Sequence, residues 1–299
     1  MTIPQRKLGS TGITVGEIGM GGMPLSVNGR PSEEEGIRAV HAALEQGITL
    51  FDTADSYCLD STEKGHNERL LAKALHNRPE VLIATKGGHI RPDGRWETDG
   101  RPEHLRQACE DSLRALGVEA ITLYQFHRPD PKVPFAESVG AVSELQREGK
   151  IVHVGLSNVS VAQLEEARKI VTVASVQNRM NLFDHSSMDV LKRCEEYGIA
   201  FLPYSPLNGM GNAQGIGSNE TLSRIARSHD ASPQQIAIAW LLQLSPIILP
   251  IPGASKAVNI VNCAGASNLE LSDKDVAELN GTLLKSPPNA TPFKGPDPV

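Results

Sequence analysis

Four side chains that can move or bind protons follow short apolar runs of the sequence. Asp52, Lys86 and His127 each come directly after such a run, and Tyr57 lies five residues beyond Asp52. Taken singly, an aspartate here is often a turn cap, a lysine a solvated strand end and a tyrosine a packing residue. If the runs are neighbouring strands of a parallel barrel, their carboxyl ends meet at one rim, and the four side chains lie together.

This group has the chemistry of proton donation to an oxygen atom. A tyrosine with an ordinary pKa near ~10 is a reluctant acid at neutral pH, and a nearby ammonium group lowers that pKa. We expect Lys86 to lower the pKa of Tyr57, and Asp52 to hold Lys86 in place and keep it protonated. His127 would hydrogen-bond to the substrate oxygen and polarise it. The sequence therefore predicts a catalytic group in which Tyr57 is the proton donor.

Short runs rich in β-branched residues alternate with longer amphipathic stretches along the chain. The predicted strands are residues 17–21, 48–52, 81–85, 120–126, 151–156, 174–177, 199–203 and 247–249. This alternation predicts parallel strands with right-handed crossovers, and eight such units over about 250 residues predict a (β/α)8 TIM barrel. An open doubly wound sheet is the alternative, but Gly19, Gly21 and Gly22 lack the spacing of a dinucleotide-binding fingerprint.

Two segments flank the predicted barrel. Residues 6–15 contain Gly9 and Gly12 and are expected to form a β-hairpin that plugs the barrel bottom. A helical extension follows the last strand. The tail from Pro287 onward, rich in proline and glycine, is expected to fold over the barrel mouth or to be mobile. We find no linker, and we expect residues 1–299 to form one domain.

Composition excludes several classes of partner. The chain has 299 residues and a formal net charge of −6, which disfavours nucleic acid because phosphates require a basic surface. No run approaches ~18 apolar residues, so no membrane span is expected, and the N-terminus lacks the apolar stretch of a signal peptide. Cys58, Cys109, Cys194 and Cys263 lie far apart, without the spacing of zinc ligands. We therefore expect free thiols, no metal and a cytoplasmic protein.

Four motifs in order along the chain resemble those of the aldo-keto reductase superfamily. They are residues 51–57 (FDTADSY), 67–71 (NERLL), 84–86 (ATK) and 125–130 (QFHRPD). Each alone is weak, but their order and spacing are specific. Further similar segments at 155–158, 176–178, 201–207 and 251–256 extend the resemblance through nearly the whole predicted barrel. The resemblance implies a carbonyl reductase that binds NADPH in an extended pose across the barrel mouth, with Asp52, Tyr57, Lys86 and His127 as catalytic residues.

The resemblance also implies a set of residues that bind the cofactor. These are Gly22, Met23, Asp52, Ser157, Asn158, Gln177, Tyr204, Ser205, Pro206, Leu207, Gly209, Gly211, Pro252, Gly253, Ser255, Lys256 and Asn262. By similarity, Ser157, Asn158 and Gln177 bind the nicotinamide carboxamide, and Tyr204 stacks on the nicotinamide ring. The alternative for Ser157 and Asn158 is a plain helix N-cap. The glycine-rich loop at 208–211, with Ser205 and Leu207, would line the pyrophosphate.

The adenine end matches the family less fully. Ser255 and Lys256 open a helix after the eighth strand, where the family binds the 2′-phosphate, and this favours NADPH over NADH. Many members have an arginine three residues later and then a Glu-Asn pair, whereas this chain has Asn259 and Asn262–Cys263. Asn262 is the residue expected to reach the adenine edge. We expect this end of the cofactor to be held differently or more weakly.

Relatives that reduce carbon–carbon double bonds tend to carry glutamate at the position of His127, so we expect the substrate to be an aldehyde or ketone. The pocket walls are predicted from six rim residues: Met23, Tyr57, Trp96, His127, Arg128 and Phe183. Of these, Trp96 and Phe183 could equally be packing residues of the barrel.

Two other functions stay open, a cofactor-binding regulatory protein with slow turnover and a Schiff-base lyase or isomerase that uses Lys86 as nucleophile. The protein is expected to be a monomer or a small homo-oligomer.

Overall fold

The computed structural model describes residues 3–213 and 215–281 of the chain. The strands are β1 (Gln5–Lys7), β2 (Thr14–Gly16), β3 (Met20–Gly21), β4 (Leu50–Asp52), β5 (Leu82–Gly87), β6 (His89–Ile90), β7 (Glu97–Thr98), β8 (Ile121–Phe126), β9 (Ile151–Ser157), β10 (Val173–Gln177) and β11 (Ala200–Phe201). The α-helices are α1 (Glu33–Glu45), α2 (His66–Ala74), α3 (Pro102–Leu116), α4 (Phe135–Arg147), α5 (Val161–Ala167), α6 (Met188–Tyr197), α7 (Glu220–Ser228), α8 (Pro233–Leu244), α9 (Ala257–Ala264) and α10 (Asp273–Gly281).

A curled parallel sheet forms most of the predicted barrel. Its strand order is β3-β4-β5-β8-β9-β10-β11, and each neighbouring pair is parallel. The predicted strand at 247–249 is not a regular strand, and this part of the prediction is wrong in detail. Ile248 bridges Phe201, and Gly253 bridges Gly21, so residues 247–253 join the two edges of the sheet. Pro250 and Pro252 have no backbone N–H group to donate, and this interrupts the ladder of hydrogen bonds between the segment and the neighbouring strands.

The barrel prediction is therefore confirmed, with an extended segment in place of the eighth strand. Backbone hydrogen bonds reach this segment from both sides: Phe201 N–H donates to the Ile247 carbonyl (3.0 Å), and Gly19 N–H donates to the Pro250 carbonyl (2.9 Å). Another difference from the predicted alternation is an extra helix, since both α7 and α8 lie between β11 and this segment.

The N-terminal hairpin closes the bottom of the barrel, as the sequence predicts. β1 pairs antiparallel with β2, and Leu8 between them is completely buried in a cluster of barrel-interior side chains. Gly9 approaches the barrel wall so closely that a Cβ atom there would lie 2.5 Å from the Ala174 carbonyl oxygen. The Arg6 guanidinium anchors the hairpin by donating to the carbonyls of Leu242, Ser245 and Ile248.

The helices pack on the outside of the sheet through apolar faces. α1 begins at a capping box in which Ser32 and Glu35 satisfy each other's backbone N–H groups, and acidic residues fill its first turn. α10 is the predicted C-terminal helix, whereas the tail from Pro287 lies outside the described residues. Within residues 3–213 and 215–281, the helices are too short or too polar to cross a membrane.

An antiparallel ribbon formed by β6 and β7 is inserted between β5 and α3, at the carboxyl end of the barrel. His89 pairs with Thr98 in its register. The sequence analysis did not predict this ribbon. It brings His89 and Trp96 to the barrel mouth, where both line the central cavity.

Candidate active site

Lys86 lies at the centre of a buried hydrogen-bond network at the barrel mouth. Its ammonium group donates to the Asp52 carboxylate (2.7 Å), the Thr53 carbonyl (2.9 Å) and the Tyr57 hydroxyl (2.9 Å). These three hydrogen bonds use all three N–H donors of the ammonium group, and the Lys86 side chain has 0% exposure. Adjacent strands produce this geometry, because β4 ends at Asp52 and β5 continues through Lys86.

The loop after β4 carries Tyr57 over Lys86. Beyond the end of β4, the chain still bonds to β5: Thr53 N–H donates to the Ala84 carbonyl (2.8 Å) and Asp55 N–H to the Lys86 carbonyl (3.2 Å). The Lys86 nitrogen lies 4.7 Å from the centre of the Tyr57 ring. The structure therefore brings together Asp52, Tyr57 and Lys86, as the sequence predicts.

Two glutamines complete the surroundings of Asp52. The second carboxylate oxygen accepts from Gln125 (3.1 Å) and Gln177 (2.7 Å), which come from β8 and β10 across the barrel. The sequence analysis missed Gln125. Strand alternation could have found it, because Gln125 lies two residues before His127 and faces the same side. The side-chain amide of Gln177 lines the cavity and also orients Asp52.

Burial governs the acidity of the pair formed by Tyr57 and Lys86. Burial raises the pKa of Tyr57 to about 12, although the Lys86 charge acts to lower it. The expected net lowering is therefore wrong, because removing the phenolate from water outweighs the attraction of the ammonium group. For Lys86, burial acts to lower the pKa, but Asp52 and Tyr57 together hold it above its ordinary value. Both groups are protonated at neutral pH.

His127 follows β8 and contacts the Tyr57 ring edge to face, with ring centres 5.7 Å apart. Its Nδ1 atom is buried without a hydrogen-bond partner among the described residues. Burial, and then the charges of His89, Lys86 and Arg128, hold the pKa of His127 well below its usual range. His127 is therefore a neutral imidazole at pH 7, able to donate a hydrogen bond to an oxygen without giving up a full proton.

His89 is a second imidazole in the site, which the sequence analysis did not identify. Its ring lies 4.3 Å from the His127 ring, and its Nδ1 atom is 2.9 Å from the Glu97 carbonyl oxygen. A carbonyl can only accept, so Nδ1 carries the proton and Nε2 is left as an acceptor. Burial lowers the pKa of His89 to about 4, so this ring is also neutral at physiological pH.

These residues surround a cavity of about 980 Å³, including its open mouth. Most of the predicted site residues line it: Met23, Asp52, Tyr57, Trp96, His127, Arg128, Ser157, Asn158, Gln177, Tyr204, Ser205, Pro206, Leu207, Gly209, Pro252 and Gly253. The lining residues that the sequence analysis missed are Gly21, Pro24, His89, Met210, Ala213 and Ile251.

The other predicted residues lie outside the lining. They are Gly22, Lys86, Phe183, Gly211, Ser255, Lys256 and Asn262. Lys86 lies directly beneath the cavity, bonded to Tyr57. Phe183 packs against the main hydrophobic core, and Asn262 accepts a hydrogen bond from the Ser232 hydroxyl (3.1 Å). Lys256 is the exposed N-cap residue of α9.

The segment after β9 belongs to the cavity wall rather than to a helix cap. The N-cap of α5 is Ser160, which makes a capping box with Gln163, so the alternative reading of Ser157 and Asn158 is wrong. Asn158 has a left-handed backbone (φ +58°), donates to the His127 carbonyl (3.0 Å) and accepts from the Tyr204 hydroxyl (2.8 Å). Asn158 thus joins the loops after three strands.

The loop after β11 has an unusual backbone. Ser205, Asn208, Gly209 and Gly211 all have positive φ, between +52° and +92°. Residues in this conformation often help to turn N–H groups toward a concavity that binds phosphate oxygens. Within this loop the Asn208 N–H donates to the Ser205 carbonyl (2.9 Å). Positive φ values are costly for Ser205 and Asn208, and such strain often marks a ligand site.

The described residues hold no group of three or more histidine, cysteine, aspartate or glutamate side chains placed to bind a metal ion. All four cysteines are buried free thiols.

Comparison with known proteins shows what the whole chain is similar to. The profile of the aldo/keto reductase family matches residues 17–283. Among curated proteins, the chain is 38% identical over 273 residues to an uncharacterized oxidoreductase of Schizosaccharomyces pombe, covering 90% of this chain and 87% of that protein.

Solved structures share the fold over nearly the whole chain. The glycerol dehydrogenase AKR11B4 of Gluconobacter oxydans has a TM-score of 0.82 at 26% identity, covering 97% of this chain and 98% of that one. An aldo-keto reductase of Klebsiella pneumoniae, solved in complex with NADPH, has a TM-score of 0.78 at 24% identity, with coverage of 97% and 98%.

Proposed function

The chain belongs to the aldo/keto reductase family and is an oxidoreductase, and from this we propose that it reduces an aldehyde or ketone with NADPH. The observation that carries the proposal is the Lys86 ammonium group, bonded at once to Asp52 and Tyr57 directly beneath the cavity. Tyr57 and His127 line that cavity side by side. The geometry offers one protonated hydroxyl and one neutral imidazole to a single substrate oxygen.

The cavity residues fit a nicotinamide dinucleotide. Ser157, Asn158 and Gln177 offer amide and hydroxyl groups for a carboxamide, and Tyr204 offers an aromatic face. The strained loop at 205–211 suits a pyrophosphate. A solved neighbour of the same fold is a complex with NADPH. The bound cofactor would supply the hydride, and the chain supplies binding, orientation and the proton.

Tyr57 supplies the proton to the substrate oxygen. Its raised pKa keeps the hydroxyl protonated at neutral pH, so Tyr57 carries the proton to be donated before the reaction begins. As the carbonyl oxygen gains negative charge, it becomes a far stronger base than a phenolate and takes the proton. The Lys86 ammonium, 2.9 Å away, stabilises the phenolate that remains. Asp52 holds Lys86 in position through a 2.7 Å ion pair.

His127 orients the carbonyl. A neutral imidazole can donate one hydrogen bond to the substrate oxygen and so stabilise charge that develops there. Its Nδ1 atom is buried and unpartnered among the residues described, and the His127 carbonyl is bonded by Asn158. The ring is therefore held by packing against Tyr57 and His89.

Lys86 is poorly suited to the Schiff-base chemistry left open by the sequence. A nucleophilic lysine must lose its proton, but the pKa of Lys86 is held above its ordinary value despite burial. All three of its protons are engaged, one of them with the carboxylate of Asp52. Borohydride in the presence of an aldehyde should leave Lys86 unmodified by mass spectrometry.

The regulatory alternative differs from a reductase only in turnover. The test of the proposed function is NADPH oxidation with a panel of simple aldehydes and ketones, comparing the protein with its Tyr57→Phe variant. We expect kcat to fall by ~10²- to 10⁴-fold in the variant, because proton transfer is lost, with an unchanged dissociation constant for NADPH.

The matched control is Tyr197→Phe. Tyr197 lies on α6, where its hydroxyl donates to Glu165, and it does not line the cavity. This variant should keep full activity. Full turnover in Tyr57→Phe would overturn the assignment of the proton donor, and negligible turnover of every carbonyl by the unaltered protein, with tight NADPH binding, would favour the regulatory function.

A further inference from the structure

Arg128 places an uncompensated positive charge in the cavity wall. Its Nε atom is buried and has no hydrogen-bond partner among the described residues, although the residue lines the cavity. The acids closest in the chain and in the cavity are engaged elsewhere. Asp130 accepts from the backbone N–H groups of Gly100 and Lys132, and Asp52 is paired with Lys86. A buried guanidinium donor without a partner is costly, and such groups usually have one when the site is filled.

The neighbours of Arg128 do not neutralise it. The Arg128 charge is among the causes, after burial, that lower the pKa of His89 and His127. Arg128 also donates a hydrogen bond to the Tyr204 side chain, and this bond and the Arg128 charge both oppose the burial that raises the pKa of Tyr204. The guanidinium therefore lies within electrostatic reach of three cavity residues, all of them neutral at pH 7. Asp184, whose charge also reaches Tyr204, forms its own ion pair with Arg179 at 2.9 Å.

Arg91 strengthens the positive character of this side of the cavity. Its guanidinium stacks on the Trp96 ring at 3.9 Å, and Trp96 faces Tyr57 edge to face. Its Nε and Nη1 atoms are also buried without partners among the residues described. Arg91 does not itself line the cavity, but it lies behind Trp96, which does. The Asp60 charge acts on Arg91, yet neither Arg91 nor Arg128 forms an ion pair with a carboxylate among the described residues.

The position of Arg128 points to the substrate rather than to the phosphates of a cofactor. The backbone suited to a pyrophosphate is the loop after β11, and the candidate site for a 2′-phosphate is the start of α9. Arg128 follows β8 and is the neighbour of His127 in the chain. Its charge is therefore next to the residue that would bind the carbonyl oxygen.

We propose that the carbonyl substrate carries an anionic oxygen group, a carboxylate or a phosphate, that is bound by Arg128 while its carbonyl oxygen lies between Tyr57 and His127. This inference rests on the proposed function and names the substrate class of that site. The planar fork of a guanidinium binds either anion through paired hydrogen bonds. The apolar body of the substrate would lie against Trp96 and Met23, which line the same cavity.

The experiment compares three aldehydes of nearly equal shape: 4-carboxybenzaldehyde, its methyl ester and 4-formylphenyl phosphate. With the unaltered protein we expect a KM at least ~10-fold lower for one of the two anions than for the ester. Whichever anion has the lower KM identifies the group. Arg128→Met should raise the KM of that anion by roughly 10- to 100-fold, and leave the KM of the ester within about 3-fold.

Two further variants separate charge from structure. Arg128→Lys keeps the charge without the fork and should retain part of the preference for the anion. Arg95→Gln is the matched control, because Arg95 is an arginine near the cavity mouth, in the β6–β7 ribbon next to Trp96, but it is exposed and paired with Glu97. Melting temperatures within a few degrees of the unaltered protein verify that the variants are folded.

The outcomes for the two proposals are distinct. Equal KM values for ester and anions, with normal turnover, would overturn the anion site and leave the reductase intact. A rise in the NADPH dissociation constant of Arg128→Met without loss of anion preference would assign Arg128 to the cofactor and overturn the inference. If no aldehyde is turned over, the anion site is tested by calorimetric titration of 4-carboxybenzaldehyde into the NADP⁺-saturated protein. Binding that depends on Arg128 supports the anion site although the reductase fails, and no binding overturns both.

Discussion

At the scale of single residues, the site depends on charges that are removed from water. Lys86 and Asp52 are both buried, and a buried ion pair is stable only when its remaining polar groups are satisfied. Here Thr53 and Tyr57 accept from Lys86, and Gln125 and Gln177 donate to Asp52. The network is therefore fully bonded, which holds the Tyr57 hydroxyl in one place and keeps the charge beside it.

A second buried acid near the site is predicted to make stability depend on pH. Burial raises the pKa of Asp55 from 3.8 to about 7, although Lys64 lies 3.5 Å from its carboxylate. The pKa of Asp55 is higher in the folded state than in the unfolded state, so the protonated carboxyl stabilises the folded state. This contribution to the free energy of unfolding is complete below about pH 4 and is lost as the pH rises through 7. Asp55→Asn should remove this loss.

Urea unfolding at pH 5 and pH 8 measures the effect. Relative to the unaltered protein, Asp55→Asn should be more stable at pH 8 than at pH 5, by roughly 1–4 kcal/mol. Asp93→Asn is the control, because Asp93 is exposed in a loop and should leave the pH dependence unchanged. An identical pH dependence in Asp55→Asn and the unaltered protein would contradict the prediction.

At the scale of elements, the site is built from the carboxyl ends of strands and from the segments inserted after them. The loop after β4 carries Tyr57, the β6–β7 ribbon brings His89 and Trp96, and Asn158 joins its own loop to those after β8 and β11. The opposite end of the barrel is closed by the β1–β2 hairpin. One end is thus devoted to stability and the other to chemistry.

The hairpin predicts a steric effect at one glycine. In Gly9→Ala, the new Cβ atom would lie 2.5 Å from the Ala174 carbonyl oxygen, and the backbone φ is +54°. We expect a loss of about 2–4 kcal/mol in the free energy of unfolding, from overpacking and left-handed strain together. Gly12→Ala is the matched control, because φ is +80° there but no atom lies within 4 Å.

Gly12→Ala should therefore lower the free energy of unfolding by only about 1 kcal/mol, which is the cost of the left-handed backbone strain alone. Both variants are measured by chemical denaturation under the same conditions. Equal losses in the two variants would show that the close approach of Gly9 to the barrel wall contributes nothing.

At the scale of the whole molecule, the cavity is enclosed by segments from nearly every unit of the barrel. Its lining extends from Gly21 in β3 to Gly253 in the segment that closes the sheet. A ligand that fills it contacts residues far apart in the chain, and binding to the folded state alone raises its stability. We propose that residues 1–299 form one domain.

This linkage gives a test of the preference for NADPH. NADPH at 100 times its dissociation constant should stabilise the protein by about 2.7 kcal/mol, which is roughly 4 °C in Tm for a chain of this length. Lys256→Met should reduce the shift with NADPH and leave the shift with NADH unchanged, because only NADPH carries a 2′-phosphate. Lys274→Met, an exposed position on α10, is the control. A Lys256→Met variant with equal losses for both cofactors would contradict the 2′-phosphate role.

Much of the barrel follows from local sequence patterns. Alternation of apolar runs and amphipathic stretches predicts the strand–helix order, and Asp52, Lys86 and His127 follow strand ends that can be read directly. Exact strand limits depend on neighbours, so the run predicted at 17–21 is regular only at Met20–Gly21. The β6–β7 ribbon could not be predicted, because two-residue strands carry almost no periodic signal.

By itself, the sequence determined the fold class, the family and the meeting of Asp52, Tyr57, Lys86 and His127 at one rim, because strand direction and strand-end position are local properties. Only the tertiary structure decided how those groups behave. Gln177 binds Asp52 from 125 residues away, and complete burial raises the pKa of Tyr57 where the sequence had predicted a lowering. Arg128 became significant for the same reason. Desolvation and hydrogen-bond partners depend on what packs around a side chain, and that is set by contacts between segments distant in the chain.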